Sequence, residues 1–209
     1  MICRSILLAA LFGLAAPFSA GANPPVGIRS LWALDPAPNG NGLNQVKGVL
    51  HYRINGETVD RTLISYGNGL DGQSLLHQCV ELIKRYAASL GISTNSGFGD
   101  GQYVAQNFAT RSSSAFSFVP NDAPNLPKPG AVLSVSGWDA LPEGHVGIIA
   151  NHSDAEAASG MVKIKLFDQN MPVDSWKEIT FRNVGGRWRG TMLNKGVERL
   201  VVGWANPSG

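Results

Sequence analysis

The sequence lacks a strong excess of charge of either sign. Its 17 Lys and Arg residues nearly balance 15 Asp and Glu residues, which leaves a formal net charge of +2. Proteins that hold nucleic acid through their overall charge carry a much larger basic excess, so this balance argues against a nucleic-acid partner. Beyond the N-terminal region, the sequence also lacks an apolar run long enough to cross a bilayer. No membrane span is therefore expected in the mature chain.

Cysteine is scarce as well. The sequence has two cysteines, Cys3 and Cys79, and Cys3 lies in an N-terminal segment that we expect to be removed. A single remaining cysteine cannot form an internal disulfide. In an oxidising compartment it pairs with another chain, does chemistry, or is buried as an inert small hydrophobe, and composition alone does not choose between these roles.

The N-terminal segment has the pattern of a secretory signal peptide. A short stretch with Arg4 precedes an apolar run over residues 5–16, and Ala-Gly-Ala at residues 20–22 offers a small-x-small cleavage site. We predict a signal peptide over residues 1–22 and a secreted or periplasmic mature protein. The alternative interpretation is an uncleaved N-terminal anchor.

Short strands and turns dominate the structure that the sequence predicts, in keeping with 25 glycines. Residues 23–45 are rich in Pro, Gly and Asn and are predicted to form an irregular leader. A hairpin is predicted across Asn55-Gly56, and helices over residues 78–90 and 101–108. The later predicted strands are residues 131–135, 146–150, 162–167, 178–182 and 199–204. Together these elements predict one α+β domain.

The predicted helix over residues 78–90 carries Cys79 in its first turn. The free N–H groups and the dipole of a helix N-terminus favour the thiolate, which is the nucleophilic form of cysteine. A histidine must then reach the sulfur. Of the four histidines, His145, at the start of a predicted strand, is the best placed to reach the sulfur, although pattern alone leaves the choice open. The alternatives are His51, His77 and His152.

A third polar group should orient the imidazole. The string Asp-Gln-Asn at residues 168–170 follows the predicted strand over residues 162–167. Because alternate residues of a strand face the same side, Asp168 and Asn170 can both face His145. The same string also fits an ordinary polar turn. The sequence has no H-E-x-x-H motif and no paired-cysteine zinc spacing, so neither a metal nor another cofactor is predicted.

Five segments form a recognisable set in this order. They are Q-C-V-E at residues 78–81, P-G-A-V-L at 129–133, G-H-V-G-I-I at 144–149, F-D-Q-N at 167–170 and V-V-G-W at 201–204. This set resembles that of CHAP domains, the cysteine, histidine-dependent amidohydrolases/peptidases. The resemblance extends over roughly residues 66–207.

The resemblance implies an α+β, papain-like (CHAP) fold, in which an N-terminal helix that carries the nucleophile packs on an antiparallel β-sheet. The catalytic domain would span residues 46–207. By residue matching, Cys79 is the nucleophile and His145 the general base and then the acid. Asp168 stands where the family usually has Glu, and Asn170 matches the family's Asn. Because Asp is one methylene shorter than Glu, the resemblance leaves open which of the two orients His145.

The remaining site predictions concern substrate binding. The Cys79 backbone N–H, together with the Gln78 side chain, is expected to hold the oxyanion. Trp138 is a candidate to flank the cleft and bind substrate, or else a residue of the core or rim. Glu81 is expected to be a solvated or salt-bridged helix residue and not a catalytic one.

These features predict an exported cysteine amidase or endopeptidase that cleaves an amide bond of peptidoglycan through a thioester. The expected bond is either the muramoyl–alanine amide or an amide within the stem peptide or cross-bridge. Two alternatives stay open. One is a catalytically degenerate CHAP module that binds cell wall or a partner protein, and the other is an amidase for a small-molecule or glutathionylspermidine-like amide. The sequence does not reveal whether an immunity or inhibitor protein binds the chain.

Overall fold

The structure, a computed structural model, describes nine segments of the chain. They are residues 26–38, 44–54, 57–66, 78–95, 97–112, 115–139, 141–150, 159–170 and 177–208. The predicted signal peptide, His77 and His152 lie outside the described residues. No helix in the described part of the chain is long and apolar enough to cross a membrane.

Ten strands and two helices make up the described structure. In chain order they are β1 (Val26–Pro38), β2 (Asn44–Ile54), β3 (Glu57–Tyr66), α1 (Cys79–Ser89), α2 (Val104–Arg111), β4 (Phe116–Pro120), β5 (Val132–Val135), β6 (His145–Ile149), β7 (Met161–Asp168), β8 (Lys177–Val184), β9 (Arg187–Asn194) and β10 (Val197–Pro207). The helices predicted over residues 78–90 and 101–108 correspond to α1 and α2. The five later predicted strands correspond to β5, β6, β7, β8 and β10.

Six of these strands close into an antiparallel barrel. Each strand from β5 to β10 pairs with the next in the chain, and β10 returns to pair with β5. The first part of β10 pairs with β9 and the later part with β5, with a register shift between Val201 and Gly203 in the β5 pairing. Strand β4 extends the sheet outside the ring by pairing with β10.

The predicted α+β, papain-like fold is therefore wrong, because the chain is mostly β and its sheet is a closed six-stranded barrel. Strands β4 and β9 were not among the strands predicted from the sequence. Strand β9 lacks a clear apolar pattern because Gly190 occupies one of its inward positions. A Cβ at Gly190 would lie 2.6 Å from Cε1 of Phe181, so the small residue makes room for the ring. Ring closure then depends on β5 and β10, which lie far apart in the sequence.

The first three strands form a separate antiparallel sheet in the order β1-β2-β3. The pairing of Ile54 with Glu57 confirms the hairpin predicted across Asn55-Gly56. Within the segment predicted to be an irregular leader, residues Val26–Pro38 instead form β1 and pair with β2. Alternation is interrupted by prolines and glycine there, which is why the strand was not predicted.

Helix α1 forms where the apolar residues recur at helical spacing. Its buried residues include Leu82, Ile83, Tyr86 and Ala87, and the Tyr86 hydroxyl donates to the carbonyl oxygen of Gly130 at 2.7 Å. Gly91 has φ +74°, and the next amide, that of Ile92, donates to Ala87 O at 2.9 Å. This is a Schellman ending, in which only glycine takes the left-handed position without strain.

Two apolar clusters hold the described structure together. One lies between the helices and the outer face of the barrel wall, and the other fills the barrel. The first includes Phe108 and Phe116 with Val146 and Ile148 of β6. Helix α1 is thus fixed against the strand that begins at His145.

Replacing Phe181 with Ala should destabilise the barrel. Phe181 is fully buried, and its ring meets the ring of Trp204 edge to face at 5.5 Å. The loss of this packing should lower the free energy of unfolding by about 3–5 kcal/mol, as measured by urea denaturation. The matched control is Leu193→Ala, whose side chain is 62% exposed on the outside of the same barrel. If the two variants lose equal stability, the barrel interior is not packed as described.

Candidate active site

Cys79 is the first residue of α1. It is 9% exposed and lines a cleft. The residue before it, Gln78, has extended backbone angles (φ −68°, ψ 158°), and its own side chain makes no capping hydrogen bond. The first N–H groups of a helix have no intrahelical acceptor, so they are available to an anion at this point. The structure therefore places the sulfur where negative charge is favoured.

His145 and Asp168 meet on neighbouring barrel strands. His145 begins β6, Asp168 ends β7, and Nε2 of the imidazole lies 2.8 Å from Oδ2 of the carboxylate. Gly147 of β6 pairs with Asp168, and a Cβ at Gly147 would lie 2.8 Å from the carbonyl oxygen of Phe167. Glycine at this position is thus required for the two strands to approach closely beside the site.

The His145 side chain is almost completely buried, and the Asp168 side chain is 9% exposed. Burial lowers the pKa of His145. This effect of burial is outweighed by the hydrogen bonds to Asp168 and Cys79 and by the negative charge of these two groups, which raise the pKa of His145 to about 10. The imidazole is therefore protonated at neutral pH. Since Nε2 faces Asp168, Nδ1 is the ring nitrogen left for the sulfur of Cys79.

The structure distinguishes between the two candidates for the third residue. Asp168 is hydrogen-bonded to His145, so the aspartate side chain, although shorter than glutamate, reaches the imidazole. Asn170, at φ +65°, instead donates from Nδ2 to Oε1 of Gln78 at 2.9 Å. Because Asn170 occupies the side-chain oxygen of Gln78, the Nε2 amino group of Gln78 is the end that can donate within the cleft.

The cleft beside Cys79 has a volume of about 650 Å³. Its near wall is the start of α1, and the far walls are residues 97–101 and the turn that contains Leu141, Glu143 and Gly144. Helix α2 holds the first of these walls, since Asn107 Nδ2 donates to Phe98 O at 2.8 Å. Cys79 lines the cleft at the start of α1.

Trp138 is not among the described residues that line this cleft. Its backbone pairs with that of Leu141, which does line the cleft, and the guanidinium of Arg199 lies 5.3 Å from the centre of its ring. Trp138 therefore supports the turn beside the cleft. Glu81, expected to be salt-bridged, forms an ion pair with Arg85. His51 lies away from the site on β2 and is hydrogen-bonded to Asp60.

The sequence analysis missed the wall formed by residues 97–101. Ser134 of β5 fixes this wall, because its buried hydroxyl donates to Gly101 O at 2.7 Å and accepts from Ala105 N at 2.9 Å. A Cβ at Gly101 would lie 2.8 Å from Gly144 O, so glycine permits the wall to reach the turn before His145. The alternation of glycines at residues 97, 99 and 101 was the available signal.

No cluster of three or more His, Cys, Asp or Glu side chains suited to a metal ion occurs within the described segments. No protein-family model matches the chain, and no curated protein is significantly similar to it in sequence.

Replacing Asp168 with Asn should change how stability depends on pH. The pKa of His145 is about 10 in the folded protein, against 6.5 for an ordinary imidazole. The stabilisation from the imidazolium is therefore complete below pH 6.5 and is lost as the pH rises through about 10. The variant should lose on the order of 3 kcal/mol in its free energy of unfolding at neutral pH, and less near the alkaline end. Chemical denaturation of wild type and variant from neutral to alkaline pH measures both losses of stability.

The matched control is Asp139→Asn, the same chemical change at an exposed position. Its stability should follow that of the wild type at every pH. A difference between wild type and Asp168→Asn that stays constant up to strongly alkaline pH would contradict a charged His145–Asp168 pair.

Proposed function

We propose that this chain is a cysteine amidohydrolase or endopeptidase that cleaves an amide bond of peptidoglycan. The observation that carries the proposal is the arrangement of Cys79 at a helix N-terminus in an open cleft, beside an imidazole that Asp168 holds and keeps charged. A cysteine that only fills space in the core requires none of these features. They are the features that nucleophilic cysteine catalysis needs.

In the proposed reaction, the Cys79 thiolate attacks the carbonyl carbon of the amide. The carbonyl oxygen becomes an oxyanion, which the backbone N–H groups at the start of α1 and the Nε2 amino group of Gln78 stabilise. As the C–N bond breaks, the protonated imidazole of His145 gives its proton to the departing amine. The products of this step are a free amine and an acyl group bound to Cys79 as a thioester.

Water completes the reaction. His145, now neutral, removes a proton from a water molecule, and the hydroxide attacks the thioester carbonyl. The carboxylic acid leaves, and Cys79 and His145 return to the charged pair. Asp168 keeps its hydrogen bond to His145 throughout, and its role is to orient the imidazole and stabilise its positive form.

Peptidoglycan is the proposed substrate for two reasons. The predicted signal peptide would deliver the chain to the compartment where peptidoglycan lies, and the resemblance to CHAP domains implies amide hydrolysis in that polymer. The described cleft supports a peptide-like substrate, since it is open and its lining mixes the apolar Phe98 and Leu141 with the charged Lys84, Asp100 and Glu143.

Replacing Cys79 with Ala should abolish the release of fragments from purified peptidoglycan, because the thioester can no longer form. Mass spectrometry of the soluble products from the wild type should show one new amine and one new carboxyl terminus at a single kind of amide. Cys79→Ser is the matched control for shape, and it should be as inactive as the alanine variant. Release of fragments by Cys79→Ala at the wild-type rate would contradict the proposed nucleophile.

Replacing Gln78 with Leu should lower kcat on the order of 100-fold with little change in KM, because one oxyanion donor is lost in the transition state. The substitution keeps the size of the side chain and removes only its polar end. Steady-state kinetics on the fragment-releasing reaction give both constants. Gln106→Leu, the same change at an exposed position of α2, is the control and should leave both constants unchanged. If Gln78→Leu changes KM alone, Gln78 binds substrate but does not stabilise the oxyanion.

A further inference from the structure

A fully buried amide connects the two halves of the site. Gln169 follows Asp168 directly where β7 ends, and its side chain is shielded from solvent. Its Nε2 donates to the carbonyl oxygen of Gln78 at 3.0 Å and to Oε2 of Glu81 at 2.8 Å. Its Oε1 accepts from Nη2 of Arg85. One side chain from the barrel thus makes three hydrogen bonds to the first two turns of α1 and the residue before it.

The groups that Gln169 contacts are themselves joined. Arg85 donates to both carboxylate oxygens of Glu81, from Nε at 2.6 Å and from Nη2 at 3.1 Å. Arg85 Nη1 also donates to the carbonyl oxygen of Ile64 on β3, and the Ser65 hydroxyl donates to the backbone oxygen of Asp168. Helix α1, strand β3 and the end of β7 therefore form one network of hydrogen bonds around Gln169.

The chemistry at this position requires an amide. The side chain lies between a carboxylate, which needs a donor, and a guanidinium, which needs an acceptor. Glutamine supplies both from one group, whereas glutamate would add a second negative charge beside Glu81. An apolar residue would leave the partly buried oxygen of Glu81 with fewer donors, at a cost in free energy. The bonds to charged partners are also the stronger kind.

We propose that Gln169 is a positioning residue that sets the separation between the Cys79 sulfur and the His145 imidazole. This inference rests on the proposed function. Gln169 adjoins Asp168, which holds His145, and it bonds to Gln78, which adjoins Cys79. The nucleophile and the base are therefore tied together through one side chain. Displacement of a catalytic group by about 1 Å can cost on the order of 100-fold in rate, so a fixed distance matters.

The test uses alkylation of Cys79 by iodoacetamide, which needs no substrate and reports on the thiolate that His145 stabilises. The variant is Gln169→Met, which keeps the length of the side chain and removes both polar atoms. We expect its alkylation rate at mildly acidic pH to fall at least tenfold, with a pH profile shifted toward that of His145→Ala. On substrate, kcat should fall on the order of 10–100-fold with KM nearly unchanged.

Two further variants separate positioning from stability. Ile179→Val, in the barrel core and remote from the cleft, should lose stability and keep the wild-type alkylation profile. The double variant Glu81→Gln with Gln169→Glu exchanges the amide and the carboxylate while Arg85 keeps a charged partner. The double variant should recover part of the alkylation rate that Gln169→Glu loses alone. If Gln169→Met does not fold, this comparison tests the positioning role of Gln169 in its place.

The outcomes distinguish this inference from the proposed function. If the wild type is alkylated no faster than His145→Ala, the Cys79–His145 pair is not formed and the proposed function fails with it. If wild type and His145→Ala differ but folded Gln169→Met follows the wild type, the positioning role of Gln169 is overturned and the proposed function stands. Equal alkylation rates for Gln169→Glu and the double variant would overturn it as well.

Discussion

The contact between Nε2 of His145 and Oδ2 of Asp168, 2.8 Å long and almost out of reach of solvent, is the interaction on which the site depends. Burying either charge alone would cost desolvation free energy, and the attraction between the two charges offsets that cost. The nearby Cys79 adds a further source of negative charge, which favours the protonated imidazole despite its burial. Such a pair contributes little net stability compared with an apolar replacement, and in the proposed reaction its value lies in holding a proton donor beside a nucleophile.

This contact can exist only because two barrel strands approach closely beside it. Gly147 allows β6 to lie against β7, and Gly101 allows the wall of the cleft to reach Gly144, the residue before His145. The closed barrel makes these positions rigid, since β6 and β7 have paired neighbours on both sides. Cys79 and His145, the two side chains of the proposed reaction, therefore both stand on regular secondary structure, at the first residues of α1 and β6.

Several parts of the site followed from local sequence. Short patterns placed Cys79 at a helix start, His145 at a strand start and Asp168 at a strand end, but they left open which histidine and which third residue pair with Cys79. The structure brings Cys79, His145 and Asp168 together. The wall at residues 97–101 was not predicted, because its role depends on Ser134 and Asn107 from other elements. Strand alternation carried no information on the partner of Gln169, whose amide donates to the backbone of Gln78 just before α1.

The sequence by itself determined the local structure: the amphipathic α1 ending at Gly91, the hairpin between β2 and β3, and the types of residue available for chemistry. These depend on backbone preferences and on contacts between near neighbours in the chain. Only the tertiary structure decided that the sheet closes into a barrel, that Asp168 and not Asn170 meets His145, and that Trp138 supports the cleft from outside. Each of these depends on pairing between distant segments or on the reach of a side chain across a few ångströms. Periodicity along the sequence carries no information on either.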